Sequence, residues 1–546
     1  MPMSDPSFDL PPGFRGVFRA DTTARALYAE GAGIARCLPQ AVAVPADAEA
    51  LSELVRWARR TGHALMPRGS GSGMAAGAVG PHVVVDLSRA TEVHAVDVEA
   101  RCVVAGVGAT RQAVDAAARA VGLRFPVDPS SGAFCTVGGM TATNAAGARS
   151  LRFGAMRPWV RGVRAVFDDG SVAWVRRGES WPTGIPAVAR LRQTLDQIAA
   201  RVPVALLRHE GVRKESSGYG VAAAMASGDL VDLLVGSEGT LAAFAAVELA
   251  LIPVAPATAT VLVTFGSLDA ATACAVDAAA AGVTACELLD RTFLDVAARG
   301  GATGVPAEAE SVLLMEVEGA DRDTCRDALA KVSDMCRVHG ALEIEHADLP
   351  ESERQLWSLR HAASPILAQL APRLRSMQFI EDGCVPPPQF PDYVRGVRRA
   401  LERSGTVGVI FGHAGDCHAH VNPLVDTMAP NWRDVVSQLL DEVCDLTAKL
   451  GGTLAGEHGD GRLRAPLLDR IWSLEARAAF ANIKAAADPA GVFNPGCKVA
   501  DDGAQPFGEL RHDPAAPALP AAVQAALQEV ERSRRWDRFR LDLLPG

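Results

Sequence analysis

Pro67-Arg68-Gly69-Ser70-Gly71-Ser72-Gly73-Met74 stands between a run with apolar residues at helical spacing, 46–61, and a short apolar run, 83–85, closed by Asp86. The first pattern predicts a helix and the second a buried strand. The closely spaced glycines between them let backbone N–H groups converge on an anion, and Ser70 and Ser72 add hydroxyl donors. A pyrophosphate is the natural guest, and a glycine-rich surface loop is the plainer alternative. The spacing is neither G-x-x-x-x-G-K-[ST] nor a well-placed Rossmann G-x-G-x-x-G, which excludes a triphosphate or nicotinamide fingerprint.

Further along, 103–107 and 230–236 predict strands, and 111–121 predicts a helix that stops at Gly122. Small residues dominate Pro126-Val127-Asp128-Pro129-Ser130-Ser131, Cys135-Thr136-Val137-Gly138-Gly139-Met140 and Thr143-Asn144-Ala145-Ala146-Gly147. Such a stretch lets the backbone itself line a flat, extended ligand. After the break at Pro253-Val254-Ala255-Pro256, strands are expected at 258–265, 312–317, 341–345, 407–411 and 452–454. Helices are expected at 270–281 and around 325–338. The end, 501–546, is Pro/Ala-rich and then charged, and reads as a tail or a partner-facing helix.

A chain of 546 residues exceeds the size at which one hydrophobic core stops growing, so two or more domains are expected. With 49% hydrophobic and 22% charged residues it reads as globular, not disordered or fibrous. A net charge of −10 argues against broad nucleic-acid binding and leaves room for a local basic pocket. Residues 1–13 lack a basic-then-apolar signal pattern, and no uncharged apolar run reaches a membrane span. The expectation is a cytoplasmic protein without a transmembrane segment, with peripheral membrane contact through a partner left open. The 11 cysteines include no C-x-x-C pair, which argues against an iron–sulfur cluster or zinc knuckle in this chain.

Gly412-His413-Ala414-Gly415-Asp416-Cys417-His418-Ala419-His420-Val421-Asn422 directly follows the run 407–411. Gly456-Glu457-His458-Gly459-Asp460-Gly461-Arg462 follows 452–454. Imidazoles and a carboxylate at strand ends make a borderline divalent-metal site with open positions. Polar loop histidines that satisfy backbone groups are the competing reading.

These motifs occur in the order seen in the vanillyl-alcohol oxidase/p-cresol methylhydroxylase superfamily, and the chain resembles its D-lactate and D-2-hydroxyglutarate dehydrogenases. It is similar above all to the flavin half of large bacterial enzymes that also carry an iron–sulfur module. The resemblance implies an α+β protein with a two-subdomain FAD-binding domain at 37–254 and an α+β cap at 255–499. An N-terminal segment, 1–36, and a tail, 500–546, flank them. It implies that Arg68, Gly69, Ser70, Gly71 and Ser72 cradle the FAD pyrophosphate. Pro126, Asp128, Thr136, Gly138, Gly139, Thr143, Asn144 and Gly147 would approach the flavin, and Glu238, Gly239 and Thr240 the adenosine half. Asn494 and Lys498, in Phe493-Asn494-Pro495-Gly496-Cys497-Lys498, would also reach the flavin. Members with covalent flavin carry His after the glycine pair; Gly71-Ser72 implies non-covalent FAD.

By position, His413, His420 and Glu457 would ligate a divalent metal, with zinc expected. His458 would be the catalytic base, while Arg360 would clamp the substrate carboxylate and Asn422 contact substrate. Ile380 stands where one branch has the Lys that grips a distal carboxylate, so that grip would fall to Arg373, Arg375 or Gln378. Cys417 and His418 replace Gly and Asn, leaving His418 as either a further ligand or an outer donor.

The implied reaction oxidises a D-2-hydroxy acid to its 2-oxo acid with hydride transfer to flavin N5. The electrons would go to an external acceptor: a quinone, an electron-transfer flavoprotein or an iron–sulfur subunit. The assembly expected is a homodimer. Two alternatives stand beside it: a glycolate- or lactate-oxidising flavin subunit of a multi-protein complex, and a non-catalytic flavin-carrying partner.

Overall fold

The computed structural model describes residues 8, 10, 11, 13–299, 307–367, 373–533 and 535–543. The glycine loop leaves a four-stranded sheet ordered Gly16–Arg19, Ala41–Pro45, Val83–Asp86, Leu65–Arg68. The last three strands run parallel, with Val83–Asp86 pairing on both sides. The crossover between Ala41–Pro45 and Leu65–Arg68 is the helix Ala48–Thr61. Asp47 caps its N-terminus by accepting from the Ala50 N–H, and Gly62 ends it at φ 73°. Its buried face, including Leu51, Leu54, Val55 and Trp57, packs on Val83 and Val85.

A second sheet, antiparallel, is ordered Cys102–Gly106, Ala243–Ala250, Val160–Val166, Val172–Arg176. The small-residue stretch lies beside these sheets and contains the helix Val137–Thr143, capped by Thr136. A third sheet of eight antiparallel-paired strands is built from the later sequence. Its central strands Ala285–Asp290, Val407–Gly412 and His418–Asp426 end at the histidine motif. The chain then returns: helix Leu474–Ala487 packs into the core of the second sheet, and Leu65 bridges Phe493 beside the first. Phe480 lies edge-on to both Trp472 and Tyr219 there.

Two expectations are corrected. Residues 230–236 do not form a strand; Leu230–Leu234 is a helix whose five residues are all buried. A short run buried all round has no face, so its periodicity cannot distinguish strand from helix. Residues 452–454 contribute only a single bridge, Thr453 to Cys384. The end of the chain, expected as a tail or a partner-facing helix, contains a helix. Helix Ala521–Ser533 buries Val523, Leu527 and Val530, and its Val523 and Leu527 pack with Leu27 of the helix Thr22–Leu27 and with Met66 and Val84 of the first sheet.

Phe480→Ala should cost about 3–5 kcal/mol, as for large buried aromatics, read as a lowered urea midpoint. A loss below about 1 kcal/mol would remove the returning helix from the core.

Candidate functional site

A cavity of about 990 Å³ runs from the glycine loop to the histidine motif. This lies at the upper end of the ~300–1,000 Å³ range of small-molecule sites.

At one end, none of the N–H groups from Gly69 to Gly73 donates to a protein acceptor among the described residues. Consecutive free amides of this kind suit an anion. Ser70 and Ser72 hydroxyls lie 3.2 Å apart beside them. A Cβ on Gly73, which lines the cavity, would meet no protein atom, so the space it faces is open for a ligand. Arg68 lines the cavity here as well. Its guanidinium donates to the carbonyls of Tyr28 (3.2 Å), Ala78 (3.1 Å) and Glu30 (2.7 Å), so it pins the loop from beneath. Gly71, at φ 79°, has no room for a Cβ because that guanidinium lies against it.

Thr136, Gly138, Gly139, Thr143, Glu238 and Gly239 also line the cavity. Among the described residues Pro126, Asp128, Asn144, Gly147, Thr240, Asn494 and Lys498 do not. Asp128 pairs with Arg149, which also holds Glu316 at 2.6 Å. Asn144, at φ 53°, closes the helix Val137–Thr143 and accepts from the Arg157 N–H. Thr240 bonds Tyr219 at 2.7 Å. Asn494 donates to the carbonyls of Gly77 and Glu238, and Lys498 Nζ to Ser216 O and Asp460 (2.5 and 3.1 Å). These residues brace the wall from behind. The Glu238 carboxylate accepts from the Gly461 N–H at 3.0 Å, tying the glycine-flanked turn of the first half to the Glu457 loop.

At the other end, three imidazole Nε2 atoms converge on one oxygen. Glu457 Oε1 lies 3.2 Å from His413, 3.4 Å from His420 and 3.6 Å from His458. The other oxygen, Oε2, is held at 2.9 Å by buried Lys214. Each ring is oriented from behind: His413 Nδ1 by Glu287 at 2.5 Å, His420 Nδ1 by the Glu381 carbonyl at 2.7 Å, and His458 Nδ1 by the Glu381 carboxylate at 2.6 Å. Donors bound at about 2.0–2.2 Å to one ion sit about 3.0–3.5 Å apart, and Glu457 Oε1 stands at that spacing from His413 and His420. His418 lies within the same cluster, its ligand atom within 4.8 Å of the others. Its Nε2 bonds Asp382 at 2.8 Å, and its buried Nδ1 has no partner among the described residues.

Arg360 and Asn422 line the cavity beside this cluster, and Arg375 also lines it. Arg360 is less free than a bare clamp, since Nε donates to Glu287 at 2.5 Å and the guanidinium lies over Phe411. Sequence reasoning missed Lys214 and Glu287, and gave no role to Glu381 or Asp382. Lys214 and Glu287 stand in no recognisable motif, and Glu457 and His413, which they hold, are more than a hundred residues away.

The charges are mutually dependent. Burial opposes ionisation throughout, yet Glu287 and Glu457 are held well below the carboxylate range, by His413 and Arg360 for the first and by Lys214 and His413 for the second. Burial also opposes the imidazolium forms, but Glu287 raises His413 to about 9, and Glu381 with Asp382 raises His458 to about 10.

The chain matches an FAD binding domain at residues 39–176 and the C-terminal domain of FAD linked oxidases at 254–497. It is similar to "Glycolate oxidase subunit GlcD" of Bacillus subtilis, 27% identical over 469 residues, covering 85% of this chain and 90% of that one. It is similar to the D-lactate dehydrogenase of Archaeoglobus fulgidus, 29% identical over 461 residues, with coverage of 83% and 90%. Against the D-2-hydroxyglutarate dehydrogenase of Pantoea ananatis it is 27% identical over 518 residues, 89% of this chain but only 50% of that protein. Among solved structures, 4-ethylphenol oxidase from Gulosibacter chungangensis shares the fold at TM-score 0.64 and 15% identity, covering 88% of this chain and 94% of that one. Fold and site thus define an FAD-linked oxidoreductase. The chain belongs to the FAD-linked oxidase family of the vanillyl-alcohol oxidase/p-cresol methylhydroxylase type.

Because His413 and His458 are raised above the unfolded value near 6.5, their stabilisation is complete below about pH 6.5. It is lost as pH rises through about 9 to about 10. Chelator-treated protein should therefore melt at a lower temperature at pH 10 than at pH 6.5. A flat melting profile over that window would mean the two rings are neutral in the fold.

Proposed function

We propose that the chain is a dehydrogenase that oxidises a D-2-hydroxy acid to its 2-oxo acid, with non-covalent FAD and a divalent cation, zinc by preference, on His413, His420 and Glu457. The observation that carries this reading is the convergence of three imidazoles on Glu457 Oε1 at one end of a cavity whose other end is a loop of free amides. The first half as the cofactor-binding part and the eight-stranded sheet as the substrate cap is the division this reading adopts.

Bound FAD supplies hydride acceptance, and a cation in this donor set supplies charge that lowers the pKa of a substrate hydroxyl. The chain's residues do the rest. Arg360, with Nε committed to Glu287, presents its remaining guanidinium N–H groups to a carboxylate and fixes which face of the carbon is exposed. Asn422 and Arg375 border the same space and would contact the rest of the substrate. Glu381 fixes His458 Nδ1, so Nε2 is the atom that exchanges a proton. In the cation-free site His458 is held protonated, and positive charge next to it opposes that state. The rate is therefore expected to rise with pH as His458 becomes neutral.

A second reading is favoured by the similarity to the glycolate oxidase subunit: the same chemistry on glycolate or lactate within a complex, with electrons passing to a separate acceptor. Anaerobic addition of glycolate, D-lactate and D-2-hydroxyglutarate to the purified flavoprotein distinguishes them. Bleaching by a D-2-hydroxy acid in the isolated chain supports the first reading. Bleaching by none of the three would refute it.

His413→Ala should reduce turnover by at least about 10²-fold while FAD remains bound and acid-extractable, since the ring is remote from the glycine loop. Unchanged turnover after chelation of that variant would eliminate the cation.

A further inference from the structure

One face of the third sheet carries a row of acids. On the strand Ser311–Gly319, Glu316 and Glu318 stand two residues apart, and Glu287 is paired with Leu314, two residues before Glu316. Alternate residues of a strand share a face, and so do directly paired ones, which puts the three carboxylates on one side. Each takes a guanidinium. Glu287 takes Arg360, which lines the cavity, at 2.5 Å. Glu316 takes Arg149 at 2.6 Å and Glu318 takes Arg124 at 2.7 Å, and both of these arginines come from the first half of the chain. The row that holds the substrate clamp therefore also holds the cofactor side.

Arg149 joins the two most directly. Its Nε and Nη2 reach the two oxygens of buried Glu316 at 2.7 and 2.6 Å. Its Nη1 pairs with Asp128, whose other oxygen accepts from the Arg149 backbone N–H at 3.2 Å. Asp128 immediately precedes Pro129, Ser130 and Ser131 of the cavity wall. The same guanidinium lies over Trp357, 5.5 Å from the ring centroid. Trp357 is on the helix Pro350–Leu367, three residues before Arg360 and so on the same helix face. Trp357 Nε1 donates to Thr260 Oγ1 at 3.2 Å, and that hydroxyl donates to Glu353 at 2.9 Å. The helix is thus tied down at Glu353, at Trp357 and at Arg360 itself. A planar guanidinium that serves two acids and a ring at once has no equivalent in an ammonium.

We propose that Arg149 is a positioning residue that sets the carboxylate clamp Arg360 against the cofactor wall, by joining Asp128 on that wall to the acid row and to the clamp's own helix. Arg149 is not among the residues that line the cavity, so it acts through Trp357 and Arg360 and not by touching substrate. The inference rests on Arg360 as the carboxylate clamp of the proposed function and not on the redox step.

The test uses the full-length flavoprotein and oxalate, which offers the clamp a carboxylate and has no hydroxyl to oxidise. Oxalate affinity is measured by calorimetry for Arg149→Lys and Trp357→Leu, alone and combined with Arg360→Ala, with FAD affinity measured alongside. Arg149→Lys should weaken oxalate roughly 10-fold, the lower end of what a lost charge-assisted contact costs. Trp357→Leu leaves both Arg149 ion pairs in place and should weaken it about 2- to 5-fold, the range of a partly exposed cation–π contact. In the Arg360→Ala background neither substitution should weaken it further, because the group being positioned is gone. FAD affinity should stay at the wild-type value throughout. Unchanged oxalate affinity in Arg149→Lys, an equal loss in both backgrounds, or a wild-type protein that binds no oxalate would overturn the proposal. So would a joint loss of FAD and oxalate, which would mark Arg149 as structural. Failure of the flavin to bleach with hydroxy acids would leave these oxalate affinities as they are, so the two readings fail separately.

Discussion

The carboxylate of Glu457 is the constraint on which the rest of the site depends. Lys214 takes one oxygen and leaves the other as the single point toward which His413, His420 and His458 turn. A buried carboxylate is costly unless it is paired and hydrogen-bonded, and Lys214, His413 and His420 are buried too, with His458 partly so. The cost is therefore passed outward: Glu287 answers His413 and Arg360, Glu381 answers His458 and Arg464, and Asp382 answers His418 and Arg464. Such a set holds its geometry only as a whole. Removing one member strands another charge, so the outer carboxylates should matter nearly as much as the inner imidazoles.

The architecture explains why three separate sheets are needed. The first sheet delivers the glycine loop, the second frames the small-residue stretch, and the third brings strand ends carrying the histidines to the same cavity. Contacts across these parts are polar as well as apolar. Glu238 reaches Gly461, Lys214 reaches Glu457, and Ser150 donates to Asp416 at 2.6 Å. Gly459, at φ 79°, shows how close the approach is, since a Cβ there would overlap the Glu238 carboxylate. The cofactor end and the histidine end are thus fixed relative to each other by the chain itself.

The inner residues of the site were legible in the sequence because they cluster in two glycine-bearing motifs, each after an apolar run. Composition there departs from what packing alone would select. Lys214 and Glu287 were not legible: each is a lone charged residue in ordinary surroundings, and its meaning lies in a partner 243 or 126 residues away. Arg68 was found, but the three carbonyls its guanidinium serves were not, since a sequence gives the presence of a guanidinium and not the direction in which it points. The strand expected at 230–236 failed for a related reason. A run buried all round carries no alternation, and only the neighbouring elements decide its backbone.

The C-terminal segment is the clearest case of meaning acquired through context. Its Pro/Ala-rich start and charged end have the composition of a linker. Yet Val523, Leu527 and Val530 sit at i, i+4 and i+7, the spacing of one helix face, and that face is buried. Burying three aliphatic side chains contributes on the order of 1.5–3 kcal/mol each, enough to offset much of the ordering cost of a short helix. Once docked, the charged residues of the same segment are no longer solvated at random. Arg511 and Glu531 become a fastening. A segment that appears to be outside the fold is thereby made part of the cavity wall, because its apolar face fixes where its charges must go.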